Sequence, residues 1–298
     1  MKVLVLGAGG QVGRELMAAG WPSGWDVQGR RREETDLCDP RAIVSAIATA
    51  APHLVINAGA YTAVDRAESD RDLAFAVNAT APGVIGKAAA ECSAAVIHYS
   101  TDYVFDGNRA GGWAESDPVR PLGVYGESKE AGERALRAAN RRHVILRTSW
   151  VFAAHGQNFV RTMLRLGAER PELRVVDDQH GCPTAAAAIA AATVEIAHQI
   201  DAGLGKWGTF HFAGRPPTTW HGFAAAIFEG MERRTGRRPA LSAIPTSAYP
   251  TPARRPANSV LDTAAIESTY GVAAPDWRDD LGRVLDALLG PDRKAVTA

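Results

Sequence analysis

The chain has 298 residues, 46% of them hydrophobic, with 33 Lys+Arg set against 33 Asp+Glu. That length supports a large buried core, arranged as one large domain or two smaller ones, and the balanced charge excludes nucleic acid as the main partner because tracking phosphates needs a basic excess. Cys38, Cys92 and Cys182, with no Cys-x-x-Cys spacing, suggest neither a disulfide framework nor a zinc site and read as reduced cytosolic thiols.

In chain order, Met1 to Leu6 predicts a short buried strand that runs directly into Gly7-Ala8-Gly9-Gly10-Gln11-Val12-Gly13, which opens a helical pattern from Val12 to Ala19. Glycines at such a turn let the backbone approach a pyrophosphate and let the helix pack on its strand, with the helix N-terminus facing the anion. The apolar start is too short for a signal peptide and is broken by those glycines. Further strands are predicted near Trp25 to Gln28, His53 to Asn57, Ala95 to Ser100 and His143 to Leu146, with helices beginning near Pro40, Arg71 and Tyr125. Alternation of this kind predicts an α/β fold, a Rossmann-type doubly wound parallel sheet covered on both faces. Ligands of such sheets bind at the C-terminal strand ends, where Gly7, Asn57, Ser100 and Arg147 fall.

After Trp150 the pattern is irregular. A helix is predicted near Asn158 to Gly167, a strand near Leu173 to Val176, an alanine-rich helix over Ala185 to Ala197, and a strand at Thr209 to Phe212. The alanine helix falls short of the roughly 20 apolar residues of a membrane span. From Gly214 onward, Pro216, Pro217, Pro250, Pro252 and Pro256 punctuate a loop-rich region with helices near Trp220 to Thr235 and Trp277 to Leu289. Residues 1–152, with 185–213 returning to them, are expected to form the dinucleotide-binding domain; 153–184 and 214–298 are expected to form a smaller C-terminal lobe.

The chemistry concentrates in Ser100-Thr101-Asp102-Tyr103-Val104-Phe105 and Tyr125-Gly126-Glu127-Ser128-Lys129. Tyr-x-x-x-Lys puts both side chains on one helical face, where the Lys129 ammonium would lower the phenol pKa of Tyr125 from about 10 and make it a usable acid and base. The spacing alone also fits a solvated helical face.

The glycine loop and Tyr-x-x-x-Lys together resemble the extended short-chain dehydrogenase/reductase family. Four further blocks, Asn57 to Asp65, Ser100 to Gly107, Arg147 to Phe152 and Asp178 to Thr184, resemble its dTDP-4-dehydrorhamnose reductase branch, from the first strand to about the final helix. The resemblance implies an NAD(P)H-dependent oxidoreductase that reduces the C4 keto group of dTDP-4-dehydro-L-rhamnose to dTDP-L-rhamnose. Tyr125 would give the proton, Lys129 would lower its pKa and hold the nicotinamide ribose, and Thr101 would bind the substrate oxygen, the alternative for Thr101 being a strand-end cap.

For the cofactor, Gly7, Gly10, Gln11, Val12 and Gly13 would surround the pyrophosphate, Asp36 and Leu37 the adenine, and Ala58, Gly59, Ala60, Tyr61 and Thr62 would line the extended dinucleotide. Arg30, Arg31 and Arg32 stand where a strict NAD enzyme presents an acid; guanidinium groups suit a 2′-phosphate, so NADPH is preferred over NADH, a solvated turn being the alternative. The substrate would meet Thr101, Asp102, Tyr103, Val104, Phe105, Tyr125, Trp150 and Arg254, with Arg254 and Arg255 on the diphosphate. For Tyr103, Val104, Phe105 and Trp150, ordinary core packing stays open, and for the two arginines exposed loop charge does. Tyr103 replaces the glutamate of related dehydratases, which argues against water elimination. Magnesium enters from the resemblance alone, and His180 and Cys182 carry no metal role. A nucleotide-sugar substrate, no nucleic acid or membrane partner, a monomer or homodimer and a cytoplasmic location complete the expectation. The alternatives are a reductase of another nucleotide-linked 4-keto-6-deoxysugar, or a regulatory subunit like that of methionine adenosyltransferase, against which the intact Thr101, Tyr125 and Lys129 argue.

Overall fold

The computed structural model describes residues 1–292; the last six residues of the expected C-terminal lobe lie outside the described residues. Strands β1 (Lys2–Leu6), β2 (Asp26–Arg30), β3 (Leu54–Asn57), β4 (Ala95–Thr101) and β5 (His143–Thr148) are followed by β6 (Val151–Phe152), β7 (Glu172–Val176), β8 (His180–Gly181), β9 (Thr184–Ala185), β10 (Gly208–His211), β11 (Thr218–Thr219) and β12 (Ala240–Ile244). The helices are α1 (Gln11–Ala18), α2 (Pro40–Ala50), α3 (Val64–Ala67), α4 (Arg71–Phe75), α5 (Ala81–Glu91), α6 (Val124–Ala139), α7 (Phe159–Glu169), α8 (Ala186–Asp201), α9 (Trp220–Thr235), α10 (Ala264–Tyr270) and α11 (Trp277–Leu289).

Six strands pair in parallel in the order β10-β5-β4-β3-β1-β2. In β1, Val3 and Val5 join a core with Leu16 of α1 and Ile189 and Ile196 of α8. Its alternate residues Leu4 and Leu6 join Ile43 and Ile47 of α2, Ile85 of α5 and Leu136 of α6 on the other face. A strand buried on both sides reads as a continuous apolar run, which is why β1 has no polar alternation. The expected doubly wound sheet is therefore present. Its order reverses between β1 and β3, which opens a crevice at their carboxyl ends.

A separate core gathers Phe152 of β6 with Val160 and Met163 of α7, Phe223 and Phe228 of α9, and Trp277, Leu281 and Leu285 of α11. In it, β7 and β12 form a parallel pair.

Three differences from the sequence expectation have physical causes. The second strand starts at Asp26, because Trp25 instead stacks on Trp21 at 5.7 Å between ring centroids. The helix from Arg71 is not one α-helix: a π-helical turn over Ala76–Thr80 joins α4 to α5. Pro82 follows at the start of α5, and a proline that cannot donate to the preceding turn favours a local widening there. The run Arg71–Glu91 is long and apolar enough to cross a membrane, yet its residues Ala81, Ile85, Ala88 and Ala89 lie in the core against the sheet. The two-residue strands and α10 were not foreseen, since pairs of residues carry no periodicity.

Candidate active site

The glycine loop leaves β1 at the switch point. Gly7 has φ +80°, and a Cβ on it would lie 2.4 Å from the Gly59 backbone nitrogen, while one on Gly13 would lie 2.2 Å from the Gly7 carbonyl oxygen. Only glycine closes such a turn. Helix α1 starts at an N-cap glycine, Gly10, whose position supplies no side-chain cap, so the first-turn N–H groups and the positive end of the helix are left for an anion. Gln11 and Val12 begin that helix, and Gln11 Oε1 accepts from Asn158 Nδ2 at 2.8 Å.

Arg31 runs beside the loop, its Cγ 3.8 Å from where a Gly9 Cβ would stand. Among the described residues no ion pair takes up Arg30, Arg31 or Arg32. Asp36 Oδ1 accepts from Cys38 N at 3.0 Å, and Leu37 lies over Gly59, its Cδ1 2.4 Å from a Cβ position there. Ala58 and Gly59 are half-buried, and Ala60 and Thr62 are exposed. Tyr61 is pinned at both backbone groups by Asn78, at 2.9 and 3.0 Å. An uncapped helix start over a turn whose first glycine and whose Gly13 have no room for a Cβ fits a dinucleotide pyrophosphate.

Helix α6 carries Tyr125 and Lys129. Its first turn is held by Glu68 Oε1, which accepts from Val124 N at 2.9 Å. Tyr125 is half-buried and its ring meets that of Tyr103 edge-on at 5.9 Å. Thr101 ends β4: its hydroxyl donates to Asp102 Oδ1 at 2.9 Å and accepts from Tyr103 N at 3.1 Å, and it acts on the Tyr125 phenol. Lys129, one turn beyond Tyr125, is enclosed, and its Nζ donates to the Tyr99 carbonyl at 2.6 Å and lies 3.5 Å from His98 Nε2.

The expected lowering of the phenol pKa by Lys129 is not found. Burial pushes Tyr125 up to about 12, the Thr101 hydrogen bond acting in the opposite direction. Burial also pushes Lys129 down to about 8, against the pull of Glu133. The lysine faces Tyr99 and His98, so its charge is directed at the sheet. Asp102 is pushed up to about 7 by burial, opposed by the hydrogen bond from Thr101.

Gly126 permits this packing, since a Cβ on it would stand 2.2 Å from the Tyr103 carbonyl oxygen. Gly126→Ala is therefore expected to cost about 1–3 kcal/mol by overpacking and to lower turnover as Tyr125 moves; a urea melt and a steady-state assay check both.

Val64, Glu68, Tyr103, Tyr125, Gly126 and Arg254 line one cleft. Arg254 is exposed in it. Arg255 turns away: it clasps Asp65 at 2.6 and 2.7 Å and holds that carboxyl below its ordinary range. Val104 and Phe105 differ from the expectation of substrate contact. Both are fully enclosed, because the 3₁₀ turn over Asp102–Val104 carries them into a core with Trp113, Cys182 and Leu261. Trp150 does not line this cleft. At φ +46° it stacks on Trp220 with centroids 3.6 Å apart and packs against Gly181.

Sequence reading missed Asn78, His98, Glu133 and Trp220. Nothing in local spacing links Asn78 to Ser128 or Glu133 to Arg147, contacts made across elements at 3.1 Å and at 2.7 to 2.8 Å. Among the described residues no three His, Cys, Asp or Glu side chains gather as metal ligands, so magnesium is assigned no site.

Comparison with known proteins places the chain in a family. The family described as the RmlD substrate binding domain matches residues 1–289. The dTDP-4-dehydrorhamnose reductase of Escherichia coli K12 is 45% identical over 302 residues, covering 97% of this chain and 98% of that protein. A solved dTDP-4-dehydrorhamnose reductase of Clostridium acetobutylicum superposes with a TM-score of 0.90 at 35% identity, covering 97% and 99% of the two chains. That of Bacillus anthracis, solved in complex with NADP, gives 0.89 at 31% identity, covering 95% and 98%. The glycine cradle, the Thr101–Tyr125–Lys129 grouping and a match along nearly the whole chain lead to one conclusion: this protein belongs to the RmlD substrate binding domain family, among relatives that are dTDP-4-dehydrorhamnose reductases.

Proposed function

We propose that this protein is an oxidoreductase that reduces the C4 carbonyl of dTDP-4-dehydro-L-rhamnose to give dTDP-L-rhamnose, with NADPH as the preferred cofactor. The observation that carries the reading is the grouping of Thr101, at the end of β4, with Tyr125, one helical turn from an enclosed lysine, at the edge of a cleft that Arg254 enters. When bound, the nicotinamide supplies the hydride. Gly7, Gly10 and Gly13, with the α1 amides of Gln11 and Val12, would hold its pyrophosphate. Asp36 and Leu37 would flank adenine, Ala58 to Thr62 would line the extended dinucleotide, and Lys129 would hold the nicotinamide ribose.

Tyr125 presents its hydroxyl to the carbonyl oxygen, and Thr101 joins it when its proton turns from Asp102 Oδ1 to the substrate. A phenol held at about 12 by burial stays protonated at neutral pH, so Tyr125 has a proton to give as the alkoxide forms, and Thr101 stabilises the developing charge. Tyr103 is a cleft wall, with Asp102 buried behind Thr101. Arg254 would pair with the diphosphate, and the lobe of α7, α9 and α11 with Trp150 would form the sugar side of the site. Val104 and Phe105 would act as the packed floor. Soluble reactants of this kind go with a cytoplasmic location.

The test is oxidation of NADPH, and separately NADH, by the purified protein with dTDP-4-dehydro-L-rhamnose, the sugar product being identified by NMR. dTDP-L-rhamnose is the expected product; a protein that binds NADPH but oxidises neither cofactor would overturn the reading. Within the same assay, Arg31→Ala is expected to raise KM for NADPH by about tenfold while leaving that for NADH near the parent value, as loss of one charge-assisted phosphate contact predicts. Equal changes for both cofactors would remove Arg31 from 2′-phosphate recognition.

A further inference from the structure

β4, the strand that ends at Thr101, also carries His98, a fully enclosed imidazole that the reaction above does not use. Its register partner on β3 is Asn57, and the hydrogen bonds around the pair leave one arrangement of protons. Gly59 N–H donates to Asn57 Oδ1 at 3.2 Å, which makes the amide nitrogen of Asn57 the atom that faces His98 Nδ1 at 3.0 Å. An amide nitrogen only donates, so Nδ1 accepts, and a neutral ring then carries its proton on Nε2. Burial keeps the ring neutral, its pKa well below the ordinary range, with the Lys129 charge acting in the same sense.

The Nε2–H therefore faces Lys129 Nζ, 3.5 Å away. An ammonium offers this group donors only, whereas a neutral amine offers a lone pair. The other partner of Nζ, the Tyr99 carbonyl at 2.6 Å, is satisfied by either form. The chain of donors runs in one direction, from Gly59 N–H through Asn57 and His98 to the lysine.

We propose that His98 is a positioning residue for Lys129: its Nε2–H, fixed by Asn57 and Gly59, meets Nζ and sets how readily the lysine releases its proton. The inference rests on the reading that Lys129 acts in the reduction as an ammonium. The other groups around the pair are Glu133 and Tyr125, each one turn away on α6. Arg147 on β5 and Arg137 on α6 hold Glu133 ionised, and on the β3 side the facing group is the uncharged Asn57. Glu133 favours the ammonium; burial and the imidazole N–H oppose it.

Two measurements test this. In the wild-type protein, histidine ¹⁵N NMR is expected to report His98 as the neutral Nε2–H tautomer, assigned by its loss in His98→Gln; an Nδ1–H tautomer would overturn the proposal. Then kcat/KM for dTDP-4-dehydro-L-rhamnose at saturating NADPH is followed against pH. Activity requires the ammonium, so the profile falls as pH rises through the Lys129 pKa. Removing the donor makes the ammonium easier to keep, so His98→Leu and His98→Met, which both lack one, are each expected to move the basic limb up by about one pH unit. The methionine variant covers the case in which leucine fails to fold. Lys129→Arg separates the two readings. If it shifts the limb while neither His98 variant does, the His98 proposal falls and the reductase reading stands. If it leaves the limb in place, the lysine reading falls and this proposal falls with it.

Discussion

Tyr125→Phe is expected to lower kcat for ketosugar reduction by about 10²–10⁴-fold, the range that general acid catalysis contributes, while NADPH binding persists. The ring would keep its edge contact with Tyr103, now at 5.9 Å, and the helix start held by Glu68 does not involve the phenol oxygen. What is lost is the phenol hydroxyl, which burial keeps protonated at neutral pH. The measurements are single-turnover NADPH oxidation and cofactor titration by fluorescence. A variant that keeps more than a tenth of parent turnover would remove Tyr125 as the acid. Loss of both turnover and NADPH binding would show a folding defect, which the Thr101→Val variant distinguishes, since that change takes away the hydroxyl partner and leaves the phenol in place.

The sheet and the cofactor loop were legible because their signals are local. An apolar strand, four glycines and a helix lie within the first nineteen residues, and the backbone demands at Gly7 and Gly13 are met by one residue type. Tyr125 and Lys129 were legible because helical spacing fixes their common face. The electrostatics were not, because they depend on what the helix packs against. From spacing, Lys129 should bring its charge to the phenol, but the Tyr99 carbonyl and His98, about thirty residues earlier, hold it against the sheet. Val104 and Phe105 fail for a related reason: a 3₁₀ turn that no periodicity marks sends them inward. The pairing of Arg255 with Asp65, 190 residues apart, likewise has no signature in the chain.

The second large effect concerns stability. Arg147→Ala is expected to destabilise the protein by about 3–5 kcal/mol, the cost of leaving one member of a buried ion pair without its partner. Arg147, 2% exposed, meets Glu133, fully enclosed, through two hydrogen bonds at 2.8 and 2.7 Å, and so fastens β5 to α6, the helix that carries Tyr125 and Lys129. It also lies over the Phe105 ring at 5.2 Å, with His211 Nε2 3.4 Å away as a neutral acceptor whose pKa is pushed down to about 4, mainly by burial. For Glu133, burial raises the pKa, but Arg147 and Arg137 outweigh it and hold the carboxyl below its ordinary value. A depressed carboxylate contributes stability that is fully present above its unfolded pKa and is lost as pH falls through the folded one, so the parent should weaken only below the ordinary carboxylate range. In Arg147→Ala the burial effect is left largely unopposed and lifts the Glu133 pKa above its unfolded value, so the sign reverses: the penalty is fully present above the folded pKa and is relieved as pH falls and the carboxyl takes up a proton. Urea unfolding at a series of pH values measures both effects, and a variant within about 1 kcal/mol of the parent at pH 7 would show that the pair does not hold the site together. Glu133→Leu combined with Arg147→Met separates charge from packing: removing both charges should recover much of the stability while leaving α6 without its fixed register on β5, so that turnover stays impaired in a protein that is again stable.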